Sequence, residues 1–193
     1  MRIRTFGVVS LLAAVALFTG ADSVQAKHSK KHSEKTNCSY HKVCCSSTTH
    51  CTTKSGANDA GSVIFKKGNC KTELELMKKA GLCHVLCGKG PLTLFCPTDT
   101  AYAKLGKARL ADIEKDPKKL TALLKYHILN RKVTAADVQA KGSLCTSEGE
   151  SLMTNTNNGK SEVDGCLLIE PDLACSNGVV HLIDDVPVPE RGK

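Results

Sequence analysis

The densest set of metal-capable side chains lies near the N-terminus, where His28 and His32 are spaced i, i+4. His41 stands between Cys38 and Cys44, and His50 abuts Cys51. Thiolate and imidazole together would suit zinc or copper. The spacing argues otherwise: no C-x-x-C occurs, and the adjacent Cys44-Cys45 pair fits a tetrahedral site badly. In an oxidising compartment such thiols go to disulfides first, so neither a metal nor a cofactor is expected. Catalytic patterns are equally sparse, with no G-x-S-x-G, no phosphate-cradling glycine loop and no H-E-x-x-H. Asp184 and Asp185 are neighbours on a strand and point to opposite faces. Glu148 and Glu150 share a face, but they flank Gly149 in a loop. Tyr126-His127 ends a leucine-rich helix and His181 sits within an aliphatic strand, so both histidines read as packed groups that need hydrogen-bond partners. No enzyme is expected.

Composition narrows the setting. Arg2 and Arg4, an apolar stretch over residues 8–18 and the small-residue site Val24-Gln25-Ala26 make a secretory signal. That stretch of eleven residues is too short to cross a bilayer, and no later segment approaches membrane-spanning length. Cleavage after Ala26 would leave 167 residues and lower the formal charge from +8 to +7. A basic excess attracts acidic glycan, anionic lipid or nucleic acid. Export and a total of only seven aromatic residues, without basic–aromatic interleaving, argue against nucleic acid. Eleven cysteines in an exported chain point to disulfides, and the odd number leaves at least one thiol free or paired with another chain, permitting a disulfide-linked dimer. Asn37-Cys38-Ser39 fits an N-glycosylation site.

The elements follow from pattern. Residues 27–35 (KHSKKHSEK) are basic and solvated, residues 37–53 are Cys-, Ser- and Thr-rich, and residues 54–61 read as a linker. The domain opens with Val63-Ile64-Phe65. A helix then spans residues 72–80, with a Thr72/Glu75 capping box, Leu74 and Met77 inward, and Gly81 at its end. A short helical turn covers residues 82–86. Leu92, Leu94 and Phe95 form a strand that Pro97 stops. Thr98 or Asp99 caps the next helix, which carries Ala101, Tyr102 and Leu105 and is closed by Gly106. Weaker helical pattern spans residues 108–115. Asp116-Pro117 starts a helix with Leu120, Leu123 and Leu124 on one face, and Thr134 starts a single turn through Val138. Short strands follow at residues 151–154, 162–163 and 166–169, and then a strand over residues 179–184 that is apolar on both faces. Helices early and strands late make an α+β fold.

Two blocks, TLFCPTDTAYAKL (residues 93–105) and SNGVVHLIDDVPVP (residues 176–189), resemble the two signatures of the fasciclin-like domain family. Thr93, Phe95, Pro97, Thr98, Asp99 and Ala101 match the first, with Tyr102 for Phe. Asn177, Gly178, Val179, His181, Ile183, Asp184, Val186 and Pro189 match the second. LLKYHIL (residues 123–129) and KVTAAD (residues 132–137) match two stretches between them. The resemblance implies a β-wedge with helices packed around it over residues 61–190, preceded by a signal (residues 1–26) and a Cys-rich extension with linker (residues 27–60). It also implies a secreted adhesion protein that meets a cell-surface or matrix protein, or acidic polysaccharide. Tyr126, His127 and Ile128, with Asp172 and Leu173 in a turn at residues 170–173, are the contact residues it points to. The alternative is glycan or metal binding through the N-terminal extension. Cys96 and Cys175 stand where the family usually carries Ala; Cys96 is therefore expected to be buried, and Cys96–Cys175 is one candidate bridge.

Overall fold

The computed structural model describes residues 58–189. The signal, the basic arm, the N-terminal His/Cys cluster and the glycosylation site lie outside them. Helices α1 (Ala60–Lys67), α2 (Lys71–Lys79) and α3 (Cys83–Leu86) precede strand β1 (Leu92–Pro97). Helices α4 (Asp99–Leu105), α5 (Lys107–Lys115) and α6 (Pro117–Tyr126) follow, then β2 (Ile128–Leu129) and α7 (Ala135–Ala140). A meander of β3 (Ser143–Cys145), β4 (Ser151–Asn157), β5 (Lys160–Val163) and β6 (Cys166–Cys175) leads to β7 (Gly178–Ile183). The architecture is α+β.

The seven strands are ordered β2-β1-β7-β6-β5-β4-β3. Of the paired strands only β1 and β7 are parallel, with Phe95 opposite His181 and Pro97 opposite Ile183. These are the segments of the two signature blocks. Because side chains alternate along a strand, the pair divides its residues between two cores. Leu92, Leu94, Cys96, Val180 and Leu182 face the helices and meet Leu76, Met77, Leu86, Leu123 and Leu124. Phe95 and Ile183 face the meander and meet Leu129, Val133, Leu144, Leu152 and Val163. Burial on both faces explains why both strands are largely apolar.

Helix starts follow capping chemistry. Asp59 accepts from Ser62 N at 2.7 Å to start α1, and Thr98 accepts from Ala101 N at the start of α4. Asp116 caps α6 ahead of Pro117, while Thr134 and Asp137 form a reciprocal capping box on α7. Several expectations are corrected. The linker read over residues 54–61 gives way at Asp59, and Ala60 is a buried first-turn residue of α1. Helix α2 has no Thr72/Glu75 capping box: its N-cap is Cys70, and Thr72 N donates instead to Asp99 Oδ1 at 2.8 Å. A carboxylate 27 positions away replaces the local cap. On that helix Leu76 and Met77 are buried, whereas Leu74 is only half-buried. Residues 170–173 are not a turn before a strand; they lie inside β6, where its pairing with β7 shifts register twice. Cys96 is buried as expected, but it does not bridge Cys175. Cys96 pairs with Leu182 and Cys175 with Gly178, about 13 Å apart along β7 at ~3.3 Å per residue, beyond disulfide reach.

Asn177 and Gly178 lock the end of β7 to the helices. Asn177 donates to Leu86 O and Gly88 O at 2.8 and 2.9 Å, and its Oδ1 accepts from Ala60 N at 3.0 Å. A Cβ at Gly178 would stand 1.8 Å from Leu92 O. Gly178→Ala is accordingly expected to destabilise the fold by ~3 kcal/mol or more, because backbone rather than a flexible side chain must yield. Urea denaturation checks this, and a change within about 0.5 kcal/mol would contradict it.

Candidate functional site

Glu73, on the inward face of α2, has no exposed surface. A buried carboxylate without partners is costly, and this one has two. Tyr102 OH, from α4, donates to Oε2 in a short hydrogen bond. His127, which caps the C-terminus of α6, places Nδ1 3.5 Å from Oε1. The opposite ring nitrogen, Nε2, lies 3.2 Å from the carbonyl of Pro187. Burial, then the neighbouring Glu73 charge, pushes the Tyr102 phenol well above its ordinary value, so it stays a donor. The network ties α2, α4, the α6–β2 junction and the tail after β7 together.

Tyr126 turns the other way. Its hydroxyl donates to Asp164 Oδ2 at 2.5 Å, while Asp164 Oδ1 accepts from Met153 N at 2.7 Å. Tyr126 and Asp164 lie along an open groove of about 1040 Å³, with Met153, Glu150, Glu162 and the tail at residues 186–188 among its other walls.

His181 supports the bulged part of β6. Nε2 donates to Val133 O at 2.9 Å, which leaves Nδ1 to accept from Asp172 N at 3.1 Å. The ring stacks on Phe95 with centroids 5.2 Å apart. Asp172 takes a left-handed backbone conformation, φ 58°, uncommon for a residue with a side chain. Its Oδ1 accepts from Ala135 N at 3.0 Å, at the first turn of α7. Leu173 packs half-buried against the helix-side core, and Glu170 pairs with Lys67 of α1. The outcome is an exposed acidic bulge, fixed from beneath by one neutral imidazole.

The fasciclin domain model matches residues 68–189. The chain belongs to the fasciclin family. Protein sll1483 of Synechocystis sp. is 37% identical over 120 residues, covering 61% of this chain and 66% of that protein. Human periostin is 34% identical over 105 residues, covering 54% of this chain but only 13% of periostin. The chain therefore spans a small part of its longer relatives. A solved FAS1 domain pair from the insect cell adhesion molecule fasciclin I superposes with a TM-score of 0.53 at 21% identity, covering 65% of this chain and 47% of that one. It shares the fold.

Within this fasciclin domain the residues of the two signature blocks come together as the parallel pair. Tyr126, His127 and Ile128 are all buried, at 3%, 0% and 1% exposure. Asp172 is exposed and Leu173 partly so. Asp184 is half-buried and accepts from Leu167 N at 2.7 Å; its partner for charge is Lys104, at 3.4 Å. Thr93 is buried and serves structure too, donating to Arg131 O and accepting from Val133 N. The residue that sequence reasoning missed is Glu73. Its signal was available, since it lies three and four positions before the inward Leu76 and Met77 on the same helical stripe. Among the described residues no group of three or more metal-capable side chains is assembled, and no helix is long and apolar enough to cross a membrane.

Burial holds the His181 ring below its ordinary value of 6.5, outweighing the Val133 carbonyl and the Asp172 charge. The unfolded chain gains this proton as pH falls through about 6.5 while the folded ring resists it, so the stability tied to His181 is complete above that pH and declines below it. Melting temperature should fall from pH 7 to pH 5 more steeply in the wild type than in His181→Phe, as followed by circular dichroism. Equal slopes would contradict the assignment.

Proposed function

We propose that this chain is a secreted fasciclin adhesion protein without catalytic activity, working at the cell surface or in extracellular matrix. Its partner is a cell-surface or matrix protein, met by the exposed bulge at Glu170, Asp172 and Leu173. One observation carries this reading: an acidic, solvent-facing segment is held in an uncommon backbone conformation by a buried histidine. A fixed segment loses little conformational entropy when a partner docks. Tyr126, His127 and Ile128 act as positioning residues, since their side chains are committed to Asp164, Glu73 and the core. Similarity to an insect cell adhesion molecule supports the same class.

A second reading rests on residues 27–35, which hold four lysines and two histidines in nine positions. Such a segment would bind acidic polysaccharide in a salt-dependent way.

Attachment of cells or matrix to the immobilised full chain separates the two. Asp172→Asn, which keeps an oxygen for Ala135 N and tolerates the left-handed backbone, should weaken attachment about tenfold with an unchanged melting curve. Tyr126→Ala/His127→Ala should lose attachment only together with a lowered melting temperature. Replacing Lys27, Lys30, Lys31 and Lys35 by Gln should leave attachment intact. Wild-type attachment by the Asp172→Asn variant would reject the bulge, and loss confined to the lysine variant would favour the polysaccharide reading.

A further inference from the structure

Cys70 and Cys96 are both fully buried in the helix-side core. Cys70 is the N-cap of α2 and Cys96 the penultimate residue of β1. Their two segments are stitched at Asp99, three positions after Cys96: its N donates to Asn69 O and its Oδ1 accepts from Thr72 N, each at 2.8 Å, so the contacts flank Cys70. Both thiols lie in one core cluster, close enough that Cys70 is among the groups that push the Cys96 thiol up. The remaining polar contacts of the sulfurs are weak and local, Asn69 Oδ1 at 3.4 Å from Cys70 and Pro97 O at 3.8 Å from Cys96. Nothing in the adhesion reading uses them. Elsewhere the chain already carries a disulfide, at Cys83.

We propose that Cys70 and Cys96 become an intramolecular disulfide while the chain folds in an oxidising compartment, by exchange with a low-molecular-weight disulfide. The thiolate of one cysteine attacks a sulfur of the oxidant, whose S–S bond breaks and whose first half leaves as a thiol. The second cysteine thiolate then attacks the protein-side sulfur of the mixed disulfide and displaces the other half. Two protein thiols lose two electrons and two protons in all, and the oxidant is reduced to two thiols. Timing follows from burial. Desolvation, with smaller contributions from Cys70 and Glu73, pushes the Cys96 thiol well up, and neither sulfur meets solvent, so the folded dithiol is inert. The bridge is laid down before the core closes. It then pins the start of α2 to the end of β1, beside Glu73.

The full chain is refolded in oxidised and reduced glutathione, and in parallel with reductant alone; each sample is denatured, alkylated, digested and mapped by mass spectrometry. The oxidised sample should give a Cys70 peptide joined to a Cys96 peptide, lighter than the two thiol peptides by two hydrogens. Its melting temperature should exceed by roughly 8 °C that of Cys96→Ala refolded in the same oxidising mixture, which keeps the Cys83 bridge, and that variant should lack the joined peptide. Recovery of Cys70 and Cys96 in alkylated form from the oxidised sample would overturn the proposal, as would their joining to other cysteines. Protein folded under reductant and then moved to oxidised glutathione should stay unbridged; prompt bridging there would overturn the timing. Should Cys96→Ala fail to fold, the wild-type peptide map decides alone.

Discussion

A carboxylate without solvent, Glu73, sets the terms for the helical half of this molecule. Charge in an apolar core is tolerated only when hydrogen-bonded, and here Glu73 has two partners, the Tyr102 hydroxyl and the His127 ring. Tyr102 comes from the first signature block, and His127 from the middle of the chain. Through the far side of the His127 ring the network reaches Pro187, in the second block. Segments remote in sequence must all be correctly placed before the charge is satisfied. A core of this kind discriminates against near-native packings more than a purely apolar one would. It also gives a reason for Tyr102 where the family's first block carries Phe: the hydroxyl has a buried acceptor waiting.

The sheet supplies the second constraint. One parallel pair, β1 and β7, is apolar on both faces and so separates two cores, with helices on one side and the meander on the other. Beside the hydrogen-bonded Thr93, His181 is the polar exception in that pair. Its neutral ring donates to Val133 and accepts from Asp172. A core histidine thereby dictates the backbone of an exposed strand bulge, so interior and surface cannot vary independently at this place.

Much of the fold was legible because local rules held. Pro97, Thr98, Gly106, Asp116-Pro117 and Thr134 marked boundaries that the structure keeps. Reading failed where the partner was distant. Asp99 caps α2 across 27 positions, which no local capping pattern can reveal. The pairs of β2 and β3 are too short for period-two alternation to register. The bulges in β6 hid residues 170–173 inside a strand, because Pro171 reads as a strand breaker. At the site, the Tyr126-His127 pair was visible as a motif, yet its direction was not: whether a helix-end histidine faces solvent or core depends on the buried Glu73 opposite. That residue looks, on composition, like one more surface charge.

The claim that one buried carboxylate coordinates these elements is tested most directly by a double-mutant cycle between Glu73→Leu and Tyr102→Phe, with stability taken from urea denaturation. Each single change strands a polar partner or removes its donor, so the account predicts a coupling of at least about 1 kcal/mol, with the double variant losing less than the two singles together. Additive losses within about 0.3 kcal/mol would mean that the two side chains do not depend on each other, and would contradict it.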